Sequence, residues 1–128
     1  MHTSDRIFVA GHKGLVGSAI VRILREKGYE NVFYIPHRDL DLRDEERTLE
    51  FFKKTKPDYI FLAAAKCGGI KDNINHPVQF LEDNLKIQNS VISAAHKIKV
   101  KKLLFLGSAC IYPRKCAQPI HESELLSG

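Results

Sequence analysis

The sequence predicts a doubly wound α/β fold, a parallel sheet with helices on both faces, from three features of its order. Four short apolar runs, at residues 7–10, 32–35, 59–63 and 102–106, are separated by segments of helical periodicity. Parallel strands joined by crossover helices give that alternation. Glycines at 11, 14 and 17 stand between the first run and the first helical segment. Small residues, Ala63, Ala64, Ala65 and Gly107, stand where the third and fourth runs end. In such sheets ligands collect at the carboxyl ends of the strands.

Each element has its own local reason. Ile7, Phe8, Val9 and Ala10 carry the β-branched and aromatic content of a strand buried on both faces. The helix after the glycines shows Leu15, Val16, Ala19, Ile20, Ile23 and Leu24 at helical spacing, and Gly28 closes it at the usual left-handed position. The second strand, 32–35, is stopped by Pro36. Asp44 is a plausible N-cap for a short surface helix over 44–54, which Lys56 and Pro57 end. The third strand covers 59–63, and residues 66–76 read as a loop. Pro77 suits the first turn of a helix running to about 97. On that helix Phe80, Ile87, Val91, Ala95 and Ile98 form one apolar stripe, while Leu81, Leu85 and Ile92 form a second that suits a partner helix. Asn84 lies on this apolar side and reads as a hydrogen-bonded packing residue. The fourth strand spans 102–106. The expected strand order is 3-2-1-4, with right-handed crossovers.

Composition narrows the class. A chain of 128 residues, 44% of them hydrophobic, has the size of one globular domain with a real core. No apolar run approaches the length of a membrane span, and the start MHTSDR does not read as a signal peptide, so a cytoplasmic location is expected. Cys67, Cys110 and Cys116 have no paired spacing, and the histidines have no ligand spacing, so neither a disulfide framework nor a metal site is expected. The net charge of +5 suits anionic ligands, but the cations are spread along the chain and no nucleic-acid-binding motif appears.

The chemistry-bearing residues collect at the strand ends. Gly11 allows a tight turn, Gly14 lets backbone approach a pyrophosphate, and Gly17 lets the helix pack closely. The amides at the helix start point toward phosphate, and the macrodipole favours its charge. At the end of the second strand an acidic residue suits a free ribose 2′-hydroxyl and a basic one suits a 2′-phosphate. His37 and Arg38 stand there, with Lys13 as a second cation, which favours NADP over NAD; Asp39 or Asp41 remains an alternative acceptor for a ribose hydroxyl. Ser108 can hydrogen-bond a carbonyl oxygen under reduction, and Cys110 can exchange a proton beside it. Each also has a plain structural reading, as a turn serine and a small buried residue.

The stretches AGHKGLVGSAI, LAAAKCGGI, KLLFLGSACIYP and HESELL, in this order and spacing, resemble the GDP-L-fucose synthase family of extended short-chain dehydrogenase/reductases over nearly the whole chain. The resemblance implies a Rossmann-type domain that uses NADP(H), epimerises carbons 3 and 5 of GDP-4-keto-6-deoxy-D-mannose, and reduces its 4-keto group. By the same resemblance Ser108 holds the keto oxygen and Cys110 is the epimerisation acid/base. Gly11, His12, Lys13, Gly14, Leu15, Val16 and Gly17 correspond to the pyrophosphate loop, with Lys13 and Arg38 toward the 2′-phosphate. Asp41 and Leu42 lie on the adenine side, and Ala63, Ala64 and Ala65 line the ribose and nicotinamide. A homodimer through the 77–97 helix is also expected. The family continues into a Tyr-x-x-x-Lys helix and a carboxyl-terminal substrate region. Here Phe33, Arg38, Ala63 and Cys116 stand four places after the tyrosines, so that motif does not occur in these residues. Residues 1–128 are accordingly expected to be an amino-terminal, NADP-binding portion without the substrate domain, inactive alone. Two other readings stay open: a non-catalytic NADP(H)-binding module, and an assembly partner.

Overall fold

Alternate residues of the first strand enter two different hydrophobic cores, and the rest of the fold follows from that division. In the computed structural model, which describes residues 1–127, strand β1 is Ile7–Ala10 and all four residues are buried. Gly128, the last residue of the predicted unit, lies outside the described residues. Ile7 and Val9 pack with Val21 and Leu24 of helix α1, Leu15–Glu26. Phe8 and Ala10 face the other way, toward Phe52 of helix α2, Glu45–Thr55, and Val91, Ala94 and Ala95 of helix α4, Pro77–Ile98. Phe8 meets Phe33, Phe51 and Phe52 at ring-centroid distances of 5.4–5.5 Å. A strand covered on both faces needs apolar residues at every position, which IFVA supplies.

The sheet is parallel throughout. Strand β2 is Val32–Phe33, β3 is Tyr59–Leu62 and β4 is Lys102–Phe105, and the order across the sheet is β2-β1-β3-β4. Register is fixed by Ile7 opposite both Val32 and Tyr59, and by Tyr59 opposite Lys102. The doubly wound α/β class is as expected, but the expected 3-2-1-4 order is corrected. That order would place β2 inside the sheet, whereas β2 has two half-buried residues and the chain after Phe33 folds into turns closed by Asp39 and Leu40 amides on the Pro36 carbonyl. The apolar YIFL strand, with Ile60 and Leu62 buried, takes the inner position beside β1 instead. A right-handed crossover that reverses direction must carry its helix on the opposite face. Thus α1, leading to β2, lies on one face, while α2 and α4, leading the other way, share the second.

Several boundaries also change. Strands two, three and four end at Phe33, Leu62 and Phe105 rather than at 35, 63 and 106. The expected 66–76 loop contains a short exposed helix α3, Ile70–Asn75. On α1 the buried side is Gly17, Val21 and Leu24, while Leu15 is 90% exposed, because the helix starts beyond the edge of the sheet. The α2 helix is not only a surface element, since Phe52 and Thr48 are fully buried. The Asp44 cap is as read, accepting from the Arg47 amide at 3.0 Å, and Gly28 adopts φ +77° after α1. Leu104 and Phe105 on β4 and Leu106 just after it are exposed, and β4 has no second neighbour among the described residues.

At the amino edge of the sheet, Lys101 Nζ bridges Asp5 at 2.8 Å and Asp58 at 3.0 Å, and Asp58 accepts from the Arg6 amide at 2.9 Å. These contacts pin the starts of β1, β3 and β4 together and leave the carboxyl edge to the loops.

Phe52→Ala should destabilise the fold by about 3–5 kcal/mol, as for other buried aromatics cut to alanine. Leu15→Ala should change stability by less than about 0.5 kcal/mol. Urea unfolding of both variants checks the assignment; comparable losses would mean that the α1 face is wrongly placed.

Candidate functional site

The glycine loop is built by close backbone contact. Gly11 has φ +79°, and a Cβ there would stand 2.6 Å from the Ala63 carbonyl oxygen and 2.7 Å from the Ala64 nitrogen. The Gly14 amide donates back to the Gly11 carbonyl at 2.9 Å, closing the turn. A Cβ at Gly17 would run into the same Gly11 carbonyl, so the first turn of α1 lies directly over the loop. Gly14 is an extended N-cap with no side-chain cap, and no acid stands in the first turn. The amides of Leu15, Val16 and Gly17 therefore have no intrahelical acceptor, and the helix end favours an anion.

Beside this loop opens a cavity of about 620 Å³. Its wall is formed by Gly11, His12, Lys13 and Gly14, by 35–38 and 40–43 after β2, by Ala63, Ala64, Ala65 and Lys66 after β3, and by Asp83 and Ile87 of α4. The opening lies where the chain direction reverses, between β1 and β3, the switch point at which doubly wound sheets hold ligands. Of the residues singled out in the sequence, Gly11, His12, Lys13, Gly14, Arg38, Asp41, Leu42, Ala63, Ala64 and Ala65 meet in this wall. Leu15, Val16 and Gly17 stand behind it in the first turn of α1. Ser108 and Cys110 are outside the wall and exposed. Cys110 lies in a single 3₁₀ turn, Ala109–Ile111, and Ser108 caps it, its Oγ accepting from the Cys110 amide at 3.2 Å.

Charge is unevenly distributed around the cavity. Lys13 is exposed and has no carboxylate within ion-pair distance among the described residues. Arg38 is 85% exposed and, among the described residues, pairs only with Asp39, at 3.5 Å. The His12 ring stacks on Tyr34 with centroids 4.1 Å apart, and Arg25 donates to the Tyr34 hydroxyl at 3.2 Å. Burial, and then the neighbouring Lys13, hold His12 below its usual pKa.

Sequence reasoning missed a charged network on the other side. Arg43 Nε and Nη2 grip Asp41 at 2.6–3.0 Å, and Nη1 donates to Asp83 at 2.8 Å. Lys66 Nζ holds the second Asp83 oxygen at 3.0 Å. Asn84 brackets the Lys66 backbone, accepting from its amide at 2.7 Å and donating to its carbonyl at 3.0 Å, which is the packing role read for it. The Arg43 hydrogen bonds lower the Asp41 pKa to about 2, and Arg43 and Lys66 lower that of Asp83. No local spacing could reveal the Arg43–Asp83 contact, because the two residues are 40 positions apart.

Residues 7–128 match the NAD dependent epimerase/dehydratase family. The chain is 54% identical over 125 residues, 98% of its length, to GDP-L-fucose synthase 1 of Arabidopsis thaliana, and 45% identical over 126 residues, also 98%, to the GDP-L-fucose synthase of Escherichia coli. It spans 39% of the length of each of these relatives. Among solved structures, a GDP-mannoheptose C4 reductase from Campylobacter jejuni, with NADP bound, superposes with a TM-score of 0.92 at 38% identity, over all of this chain and 40% of that one. This chain belongs to the NAD dependent epimerase/dehydratase family.

The Asp41 ion pair has a pH signature. The folded pKa lies below the unfolded value near about 4, so the pair stabilises the fold fully above that pH and is lost as pH falls through about 2. A ¹³C carboxyl titration should place the Asp41 midpoint at about 2. A midpoint near the ordinary carboxylate value would show that Arg43 does not hold it.

Proposed function

We propose that this member of the family is the amino-terminal, NADP(H)-holding portion of a GDP-L-fucose synthase acting on GDP-4-keto-6-deoxy-D-mannose. One observation carries the reading: at the switch point of the sheet, an uncapped helix start and two unsaturated cations, Lys13 and Arg38, border a single cavity. The identities to the Arabidopsis and Escherichia coli synthases support it. The residues present fit the cofactor. Gly11 and Gly17 leave no room for side chains beneath the loop, so backbone amides can reach a pyrophosphate, and Lys13 and Arg38 suit a 2′-phosphate.

NADPH supplies hydride to the 4-keto carbon when bound. The chain's own residues do the rest that is assigned to it: the α1 amides neutralise phosphate charge, and Ala63, Ala64 and Ala65 keep the wall small enough for the ribose and nicotinamide. We assign Ser108 to the keto oxygen and Cys110 to proton exchange at carbons 3 and 5. Both stand just beyond β4, at the same sheet edge as the glycine loop and separated from it by the end of β3. We assign the proton donation for reduction to a Tyr-x-x-x-Lys motif of the kind the resemblance implies, which no tyrosine of these residues supplies. We further propose a cytoplasmic enzyme, and a homodimer through α4, whose Val78, Leu81, Leu85 and Ile92 are exposed.

NADPH should bind more tightly than NADH, and Arg38→Ala should weaken NADPH about tenfold or more while barely changing NADH, because a charge-assisted phosphate contact is worth about 1.5–3 kcal/mol. Calorimetric titration with both cofactors checks this; equal losses would remove Arg38 from the 2′-phosphate. The 128-residue chain alone should yield no GDP-L-fucose from GDP-4-keto-6-deoxy-D-mannose and NADPH. Product confirmed by mass spectrometry would require a proton donor within these residues.

A further inference from the structure

Arg43 is the one side chain of the cavity wall gripped by two carboxylates among the described residues, and the way it is gripped decides what it can offer a ligand. Its bonds to Asp41 run from Nε and Nη2, and its bond to Asp83 runs from Nη1. All three nitrogens lie in the guanidinium plane, so both carboxylates sit at its edges. The side chain is nonetheless 39% exposed and lines the cavity. With three of its five N–H bonds engaged at those edges, the flat face is the larger uncommitted surface that the guanidinium can offer a ligand.

The surrounding charge favours a neutral ring over a phosphate there. Arg43 and Lys66 are balanced by Asp41 and Asp83, so the network carries no net charge. A phosphate approaching Arg43 could reach only the two N–H bonds that Asp41 and Asp83 leave, and would meet both carboxylates beside them. A purine meets neither cost, and planar cations stack well on aromatic faces. Leu40, Leu42 and Ile87 supply apolar wall nearby. The Asp41 carboxylate is meanwhile committed: Oδ1 accepts from the Arg43 amide and Nε, and Oδ2 from Nε and Nη2. Little capacity remains for the ribose hydroxyl it was considered for.

We propose that Arg43 is a further cofactor-binding residue whose guanidinium face stacks on the adenine ring, with Asp41 and Asp83 as positioning residues that hold its plane. This rests on the NADP(H) reading above. The phosphates then fall to Lys13, Arg38 and the α1 amides, and the adenine falls to the neutral end of the same cavity.

The test is the affinity of the protein and its Arg43→Lys variant for NADPH, NADH and nicotinamide cytosine dinucleotide, which has one base ring where the others have two. Lysine keeps the charge and loses the plane. Stacking predicts a loss of about tenfold for both NADPH and NADH, and clearly less for the cytosine analogue. Asp83→Asn should weaken NADH but raise the ratio of NADPH to NADH affinity, since it loosens the hold on the Arg43 plane and leaves net positive charge, and Asp83→Glu should restore the original ratio. Thermal melts establish that each variant is folded. Equal loss with all three ligands would assign Arg43 to scaffolding, loss confined to NADPH would assign it to the phosphate, and no loss would remove it from the site; each overturns the proposal. Failure of the unmodified protein to bind either NADPH or NADH would refute the cofactor reading itself, and this proposal with it.

Discussion

The contact on which the rest of this structure depends is the approach of Gly11 to the backbone of Ala63 and Ala64. It is possible because β3 lies directly beside β1, and it leaves no volume for a side chain at Gly11, while Gly11 in turn leaves none at Gly17. A methyl group at Gly11 would have to displace backbone on a neighbouring strand, and one at Gly17 would have to displace the loop. The loop is thus held between two packed elements. Its amides gain a fixed direction without any side-chain cap, the arrangement that suits a backbone segment to an anion.

The same strand arrangement decides what surrounds that loop. Because β2 is short and lies at the edge, residues 34–44 are free to turn back over the cavity, bringing Arg38, Asp41, Leu42 and Arg43 to its wall. Because α4 shares a face with α2, Asp83 reaches Arg43 and ties the turn to the helix. One cavity acquires two electrical characters: an end with unsaturated cations and free amides, and an end where four charges cancel. A dinucleotide has the same polarity, with phosphate in one part and a neutral aromatic ring in another.

How much of this was legible in the sequence depended on range. The strand starts, the Asp44 cap, the Gly28 closure and the Pro77 helix start are set by neighbours within a turn, and their residue types announce them. The glycine loop is equally local. Sheet order was not legible from a typical arrangement, although its cause lies in composition: YIFL can be buried on both faces, and a two-residue strand that runs into Pro36 cannot hold the interior of a sheet. The Arg43–Asp83 contact has no spacing to betray it. Arg43 reads as a loop charge and Asp83 as a solvated helix position until the fold brings them within 2.8 Å. Ser108 and Cys110 were singled out through resemblance and the strand end they follow. Their exposed positions on a 3₁₀ turn could not be foreseen from residues whose hydrogen bonds are all short-range.

The central claim is that the carboxyl edge of the sheet, at the β1–β3 switch point, is the cofactor site. The measurement that tests it most directly is an amide ¹H–¹⁵N chemical-shift map of the protein titrated with NADPH. The account predicts saturable shifts concentrated at residues 11–17, 36–43 and 63–66, and quiet resonances at the opposite edge, where Lys53, Lys56 and Lys99 line a second cavity of about 470 Å³. Shifts centred on those lysines, with the glycine loop unmoved, would contradict it.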